Sequence, residues 1–142
     1  MGIVKTLHHI NLRPSREDYD KTIKFYCEDL GMKIVNSWQK DRGEFISRNC
    51  YIDTGCGVLM EVCETAVENK KAGPIQHFAL AVDDCNAVMT QLKEKGYVVA
   101  NSKGQASETL TIDVAVGDPV IKCRTGFVLS PSGELVEFVQ DL

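Results

Sequence analysis

Apolar and polar residues alternate in a run over 7–12, containing His9-Ile10-Asn11-Leu12, and the same two-residue period returns in His77-Phe78-Ala79-Leu80-Ala81-Val82. Alternation of this kind predicts half-buried strands. After the first run, Ser15 offers an N-cap, with Asp18 three residues on as an approximate capping box. Tyr19, Ile23, Tyr26 and Leu30 then recur at helical spacing, and Gly31 is placed to end that helix. Strand-like stretches follow at 32–35, 45–53 and 58–63, the last two parted by the hairpin signal Gly55-Cys56-Gly57.

The second half repeats the order. The run at 77–82 leads to Asp83 or Asp84 as a cap, then to Val88 and Leu92 on a helix that Gly96 stops. Tyr97-Val98-Val99 resumes extended structure, and 126–129 and 135–140 form a last pair around the turn Pro131-Ser132-Gly133. Each half reads β-α-β-β-β. Residues 64–76, with Gly73-Pro74, read as a linker too short and plain to separate independent domains, and 100–118 as a strand with a long loop of the kind that often serves as a lid. Two half-sheets burying their apolar faces predict one α+β domain over residues 1–142, with modules at about 5–65 and 74–142.

Composition changes this picture little. The 142 residues are 44% hydrophobic and 25% charged, with a net charge of −4, which is ordinary for a globular protein. No basic cluster suggests nucleic acid, and no apolar run nears the ~20 residues that cross a bilayer. Gly2 with Thr6 matches a degenerate lipidation pattern, but the chain runs on into strand-like sequence there. The six cysteines lack C-x-x-C spacing and read as reduced thiols of a cytoplasmic protein, with Cys27, Cys63 and Cys85 as small core residues.

The candidate chemistry lies in the repeat. His9 and His77 each open an alternating run, and Glu61 and Glu137 each stand four residues after a turn glycine, Gly57 or Gly133. Residues two apart in a strand share a face, so Glu61 lies with Leu59 and Cys63, and Glu137 with Leu135 and Val139. The other faces, Met60 with Val62 and Val136 with Phe138, are apolar. A carboxylate in such company is expensive to bury alone. Two imidazoles and two carboxylates suit one divalent Zn, Ni, Co, Mn or Fe and leave room for water or substrate. His8 would face away from His9 in a regular strand.

With these motifs in order, the chain resembles the vicinal oxygen chelate superfamily, the glyoxalase and bleomycin-resistance fold. The resemblance also includes Lys24-Phe25-Tyr26, Leu30-Gly31-Met32, Leu59-Met60-Glu61-Val62 and Ser130-Pro131-Ser132-Gly133-Glu134-Leu135-Val136-Glu137. It implies paired βαβββ modules forming an open, cup-shaped mixed sheet, and it places His9, Glu61, His77 and Glu137 on the metal ligands of glyoxalase I, with Zn or Ni foremost. The implied chemistry is an enediolate isomerisation of a hemithioacetal formed from a 2-oxoaldehyde and a thiol. Glu137 would be the base, with Glu61 as its alternate. Arg13 matches the arginine that holds the glutathione end, whereas Thr65 replaces an asparagine of the pattern, which puts glutathione itself in doubt. Lys122 and Arg124 are candidates to meet an anionic tail. The superfamily also holds acyl-CoA epimerases, extradiol dioxygenases, resistance thiol transferases and metal-free drug-binding proteins, and those alternatives stay open. Its members usually pair, so a homodimer acting on a small molecule is expected.

Overall fold

A computed structural model describes residues 8–66, 77–116 and 119–142 of the protein. Gly2 and most of the expected linker, Gly73-Pro74 included, lie outside them. The chain divides into two compact units, Met1–Lys70 and Lys71–Leu142. The α+β class stands: each unit carries one sheet and little helix.

Unit 1 runs β1 (His9–Leu12), α1 (Tyr19–Ile23), β2 (Lys33–Asp41), β3 (Ile46–Asp53) and β4 (Leu59–Cys63). Its sheet has the order β1-β4-β3-β2, with β1 parallel to β4 and the other pairs antiparallel. The Ser15–Asp18 pairing forms as expected, the serine hydroxyl accepting from the Asp18 N–H at 3.2 Å and donating to its carboxylate at 3.0 Å. The helix itself begins only at Tyr19 and widens into a π-type segment over Lys24–Asp29, where the Leu30 N–H donates to the Phe25 carbonyl at 3.0 Å. Gly31 ends it in the left-handed region, φ 75°, where a side chain would be strained.

Phe25 and Tyr26 are both fully buried, and so are Cys50, Ile52, Met60 and Val62. Each large apolar side chain withdrawn from water contributes roughly 1.5–3 kcal/mol. β2 runs past the expected residues 32–35 to Asp41, with a register slip between Ile34 and Asn36. Its later residues are polar and exposed on both faces, as suits an edge strand paired only to β3.

The end of β4 carries a buried carboxylate, Glu64, only 2% exposed. It accepts from the Arg48 backbone at 2.8 Å and from the Arg48 guanidinium at 3.2 and 3.3 Å, with Arg16 at 3.4 Å. Arg48 also bonds Asp20 at 2.8 Å and lies over the Tyr19 ring. Burial alone would raise the Glu64 carboxyl, but the bonds and charge of Arg48, helped by Arg16, hold it below the usual range.

Unit 2 runs β5 (His77–Ala81), α2 (Cys85–Glu94), β6 (Val98–Ala100), β7 (Ile112–Val116), β8 (Ile121–Leu129) and β9 (Leu135–Asp141). The sheet order β5-β9-β8-β6 repeats that of unit 1, with β5 parallel to β9. Asp84 caps α2, its side chain accepting from the Ala87 N–H at 2.9 Å. Cys85, Met89 and Leu92 of that helix are buried, as are Val128, Val136 and Phe138 of the sheet.

The strand expected within 100–118 is β7, preceded by its loop. β6 pairs with the second half of β8 and β7 with its first half, so together they occupy the edge that β2 occupies in unit 1. Between them the chain leaves the sheet over residues 101–111. That excursion borders a cavity of about 240 Å³ lined by Asn101, Ser107, Leu110, Thr125 and Phe127, among others. Gly126 sits where the excursion and α2 close in: a Cβ there would lie 2.6 Å from the Leu110 carbonyl oxygen and 2.6 Å from Met89 Cγ.

Candidate metal centre

In unit 1 the parallel register sets His9 opposite Leu59 and Asn11 opposite Glu61. Both functional side chains therefore share a face, and His9 Nε2 stands 3.3 Å from Glu61 Oε2. The face lies away from the helix. The Tyr19 hydroxyl bonds the Cys50 thiol, and Cys50 pairs with Val62, while Tyr51, on the other side, pairs with Glu61.

In unit 2 the same register sets His77 opposite Leu135 and Ala79 opposite Glu137. His77 Nε2 stands 3.0 Å from Glu137 Oε2. This face too is the one away from the helix, because Gly126 faces Met89 of α2 and pairs with Phe138, which alternates with Glu137. The repeat expected from the sequence thus becomes two equivalent His–Glu pairs.

Both rings present Nε2 to their carboxylate. His77 Nδ1 is buried without a partner among the described residues, so Nε2 is the nitrogen left to meet a ligand. His9 Nδ1 lies 2.9 Å from the Nδ1 of His8. His8, expected to face elsewhere, is thus the neighbour that orients His9. Donor atoms each about 2.1 Å from one cation and at a right angle to it lie roughly 3 Å apart, which both pairs match. The donor set, imidazole nitrogen with carboxylate oxygen, fits a divalent transition metal. Among the described residues no group of three or more metal-capable side chains gathers. Each unit supplies one pair.

The surroundings differ. Beside Glu61, Asn11 Nδ2 donates to Oε2 at 3.1 Å and lies 3.5 Å from Cys63 Sγ. The His9 ring meets Tyr51 edge-on, and Tyr51 in turn meets Trp38. Burial pushes the Cys63 thiol up, while Arg13 and Arg42 pull the other way. Both guanidinium groups are therefore within electrostatic reach of the residue that shares Glu61's face. Beside Glu137 the neighbours are apolar: Phe127 stands edge-on to His77 at 5.7 Å and belongs to a cluster with Ala100 and Leu135.

Lys122 and Arg124 do not join this face. Phe127 pairs with Glu137 and Arg124 with Gln140, which puts Arg124, and Lys122 two residues before it, on the side of α2. The Arg124 guanidinium is gripped in two places by Asp113, at 2.7 and 2.9 Å. The two candidates for an anionic tail thus lie on the opposite face of the sheet from Glu137. Thr65 is tied through its backbone N–H to the Pro14 carbonyl, just after Arg13. All six cysteines are free thiols, and burial raises Cys27, Cys50, Cys63 and Cys85 away from the thiolate form.

Two strand-mounted His–Glu pairs in a duplicated β-α-β framework define a class, and comparison with known families agrees. Residues 6–138 match the model of the Glyoxalase/Bleomycin resistance protein/Dioxygenase superfamily, and the chain belongs to it. A probable lactoylglutathione lyase of Vibrio parahaemolyticus is 26% identical over 127 residues, 87% of this chain and 83% of that protein. A probable chloroplastic lactoylglutathione lyase of Arabidopsis thaliana is 32% identical over 107 residues, 72% of this chain, which spans only 30% of that protein's length. Among solved structures, the fosfomycin resistance protein FosX of Listeria monocytogenes, complexed with Mn(II), shares the fold with a TM-score of 0.69 at 14% identity, covering 99% of this chain and 95% of that one. No helix among the described residues is long and apolar enough to cross a membrane.

Proposed function

We propose that the protein is a metal-dependent lyase of the glyoxalase I type, with the His9–Glu61 and His77–Glu137 pairs as ligands for a divalent metal, Zn or Ni foremost. The observation that carries this is the equivalence of the two His–Glu pairs, each on facing positions of a parallel strand pair in its own unit. The likeness to two probable lactoylglutathione lyases supports the same reading. The substrate is the hemithioacetal of a 2-oxoaldehyde and a thiol.

When bound, the ion would supply Lewis acidity towards the two adjacent oxygens of the substrate. Glu137 removes the proton from the carbon bearing sulfur and oxygen and returns it to the neighbouring carbon. The product is a 2-hydroxyacyl thioester, formed with no net gain or loss of atoms. Phe127, opposite Glu137 in the register, and Leu135 form an apolar wall on the face of that carboxylate. Arg13 holds an anionic group of the thiol, and Asn11 and His8 orient the unit 1 pair.

The experiment is divalent-metal content together with turnover of the methylglyoxal–glutathione hemithioacetal, and of hemithioacetals of other thiols. About one Zn, Ni, Co or Mn per chain, lost on His77→Ala, with thioester formation, is the expected outcome. Iron with oxygen consumption would move the protein to the dioxygenases. A wild-type chain that takes up no metal after reconstitution would sink the reading.

A further inference from the structure

We propose that Asn11 is a positioning residue which fixes Glu61 as a permanent ligand and so leaves the proton transfer to Glu137. The inference rests on the metalloenzyme reading above and goes beyond it by saying what makes two like carboxylates unlike. At equivalent register positions, Asn11 opposes Glu61 and Ala79 opposes Glu137. The Asn11 amide reaches Glu61 Oε2 at 3.1 Å. The methyl group of Ala79 can donate nothing, and among the described residues His77 is the partner of Glu137.

A second observation runs the same way. His9 is steadied from behind by His8 at 2.9 Å, whereas His77 Nδ1 has no described partner. Both members of the unit 1 pair are thus held by polar neighbours. Both members of the unit 2 pair sit against Phe127 and its apolar cluster. A base must swing away from its ligand position and return during each turnover. Of the two carboxylates, only Glu137 can do so without breaking a bond to an amide.

The test exchanges the two positions. Asn11→Ala should weaken Zn or Ni affinity about 10- to 100-fold, the usual effect of losing a group that orients a ligand, and its kcat at saturating metal should fall less than that of Ala79→Asn. Ala79→Asn gives Glu137 the amide it lacks, and Ala79 is exposed enough to accept the larger side chain. Its kcat should fall about tenfold or more, with KM and metal affinity held. A kcat loss without an affinity loss in Asn11→Ala, or an unchanged kcat in well-folded Ala79→Asn, overturns the proposal. A third readout needs neither metal nor turnover. In the metal-free protein, the Asn11 side-chain amide resonances should shift in Glu61→Gln and stay in place in Glu137→Gln, and the reverse pattern also overturns it. Wild type that binds no metal removes the metalloenzyme reading and this inference together. Wild type that binds and turns over, beside either adverse variant result, removes only the role of Asn11.

Discussion

The two units place the same pair of side chains at the same register and then surround it oppositely. In unit 1, His9 and Glu61 have an amide, a second imidazole and a tyrosine within reach. In unit 2, His77 and Glu137 have a phenylalanine, a leucine and alanines. Duplication of a fold therefore does not duplicate an environment. The polar setting suits binding and orientation. The apolar one suits a carboxylate that must stay reactive, because little there competes for its lone pairs.

The two units should differ most sharply at their carboxylates. Glu137→Gln should lower kcat by about 10²–10⁴-fold, the range of a lost general base, and retain most of its metal. Glu61→Gln should instead lose metal first and recover part of its activity when metal is supplied in excess. Steady-state kinetics beside metal titration separates the two, and equal behaviour of the variants would mean that the surroundings do not assign the roles.

Stability should divide the units as well. Unit 1 is pinned by the buried Glu64, and Arg48→Ala removes the guanidinium and leaves that carboxylate only the backbone N–H of residue 48 and Arg16, at a cost of about 1–3 kcal/mol. The carboxyl of Glu64 is depressed on folding. Its contribution is therefore complete above the unfolded value, near pH 4, and fades as the pH falls through the lower folded value. Acid should open unit 1 before unit 2, as hydrogen exchange resolved by residue would report. Glu64→Gln should flatten that difference.

A smaller contrast lies in the rings beside the imidazoles. Phe127 is 7% exposed and Tyr51 only half-buried, so Phe127→Ala should cost about 3–5 kcal/mol and Tyr51→Ala clearly less. Thermal unfolding of the two variants measures this. A larger loss at Tyr51 would show that the polar face, not the apolar one, bears the packing.

Much of this was legible in the residues. Alternation at the two histidines, helical spacing up to Gly31 and Gly96, and glycine turns before each glutamate located the framework and the four proposed ligands. What stayed hidden depended on partners. The later part of β2 is polar on both faces, and only its pairing to β3 makes it a strand. A strand was expected within 100–118, but the bounds of β7 are set by its pairing to β8. The side of the sheet taken by Lys122 and Arg124 followed from parity counted back from Glu137 along β8, which needed the full length of that strand. Asn11 could be read as sharing His9's face, but its meeting with Glu61 required the β1–β4 register. His8 was set aside by the assumption of a regular strand, while its ring turns to His9 all the same.

The excursion between β6 and β7 hangs on the edge of its sheet farthest from β5, with β8 and β9 between it and the strand that carries His77. Its length and sequence can drift without moving either member of the reacting pair, provided Gly126 stays bare where α2 and Leu110 close on it. The cavity it borders touches Phe127, the ring that stands against His77. Variation could therefore reshape what the protein accepts while sparing the groups that perform the chemistry. For anyone wishing to retrain this scaffold on a new compound, residues 101–111 are the place to start a library.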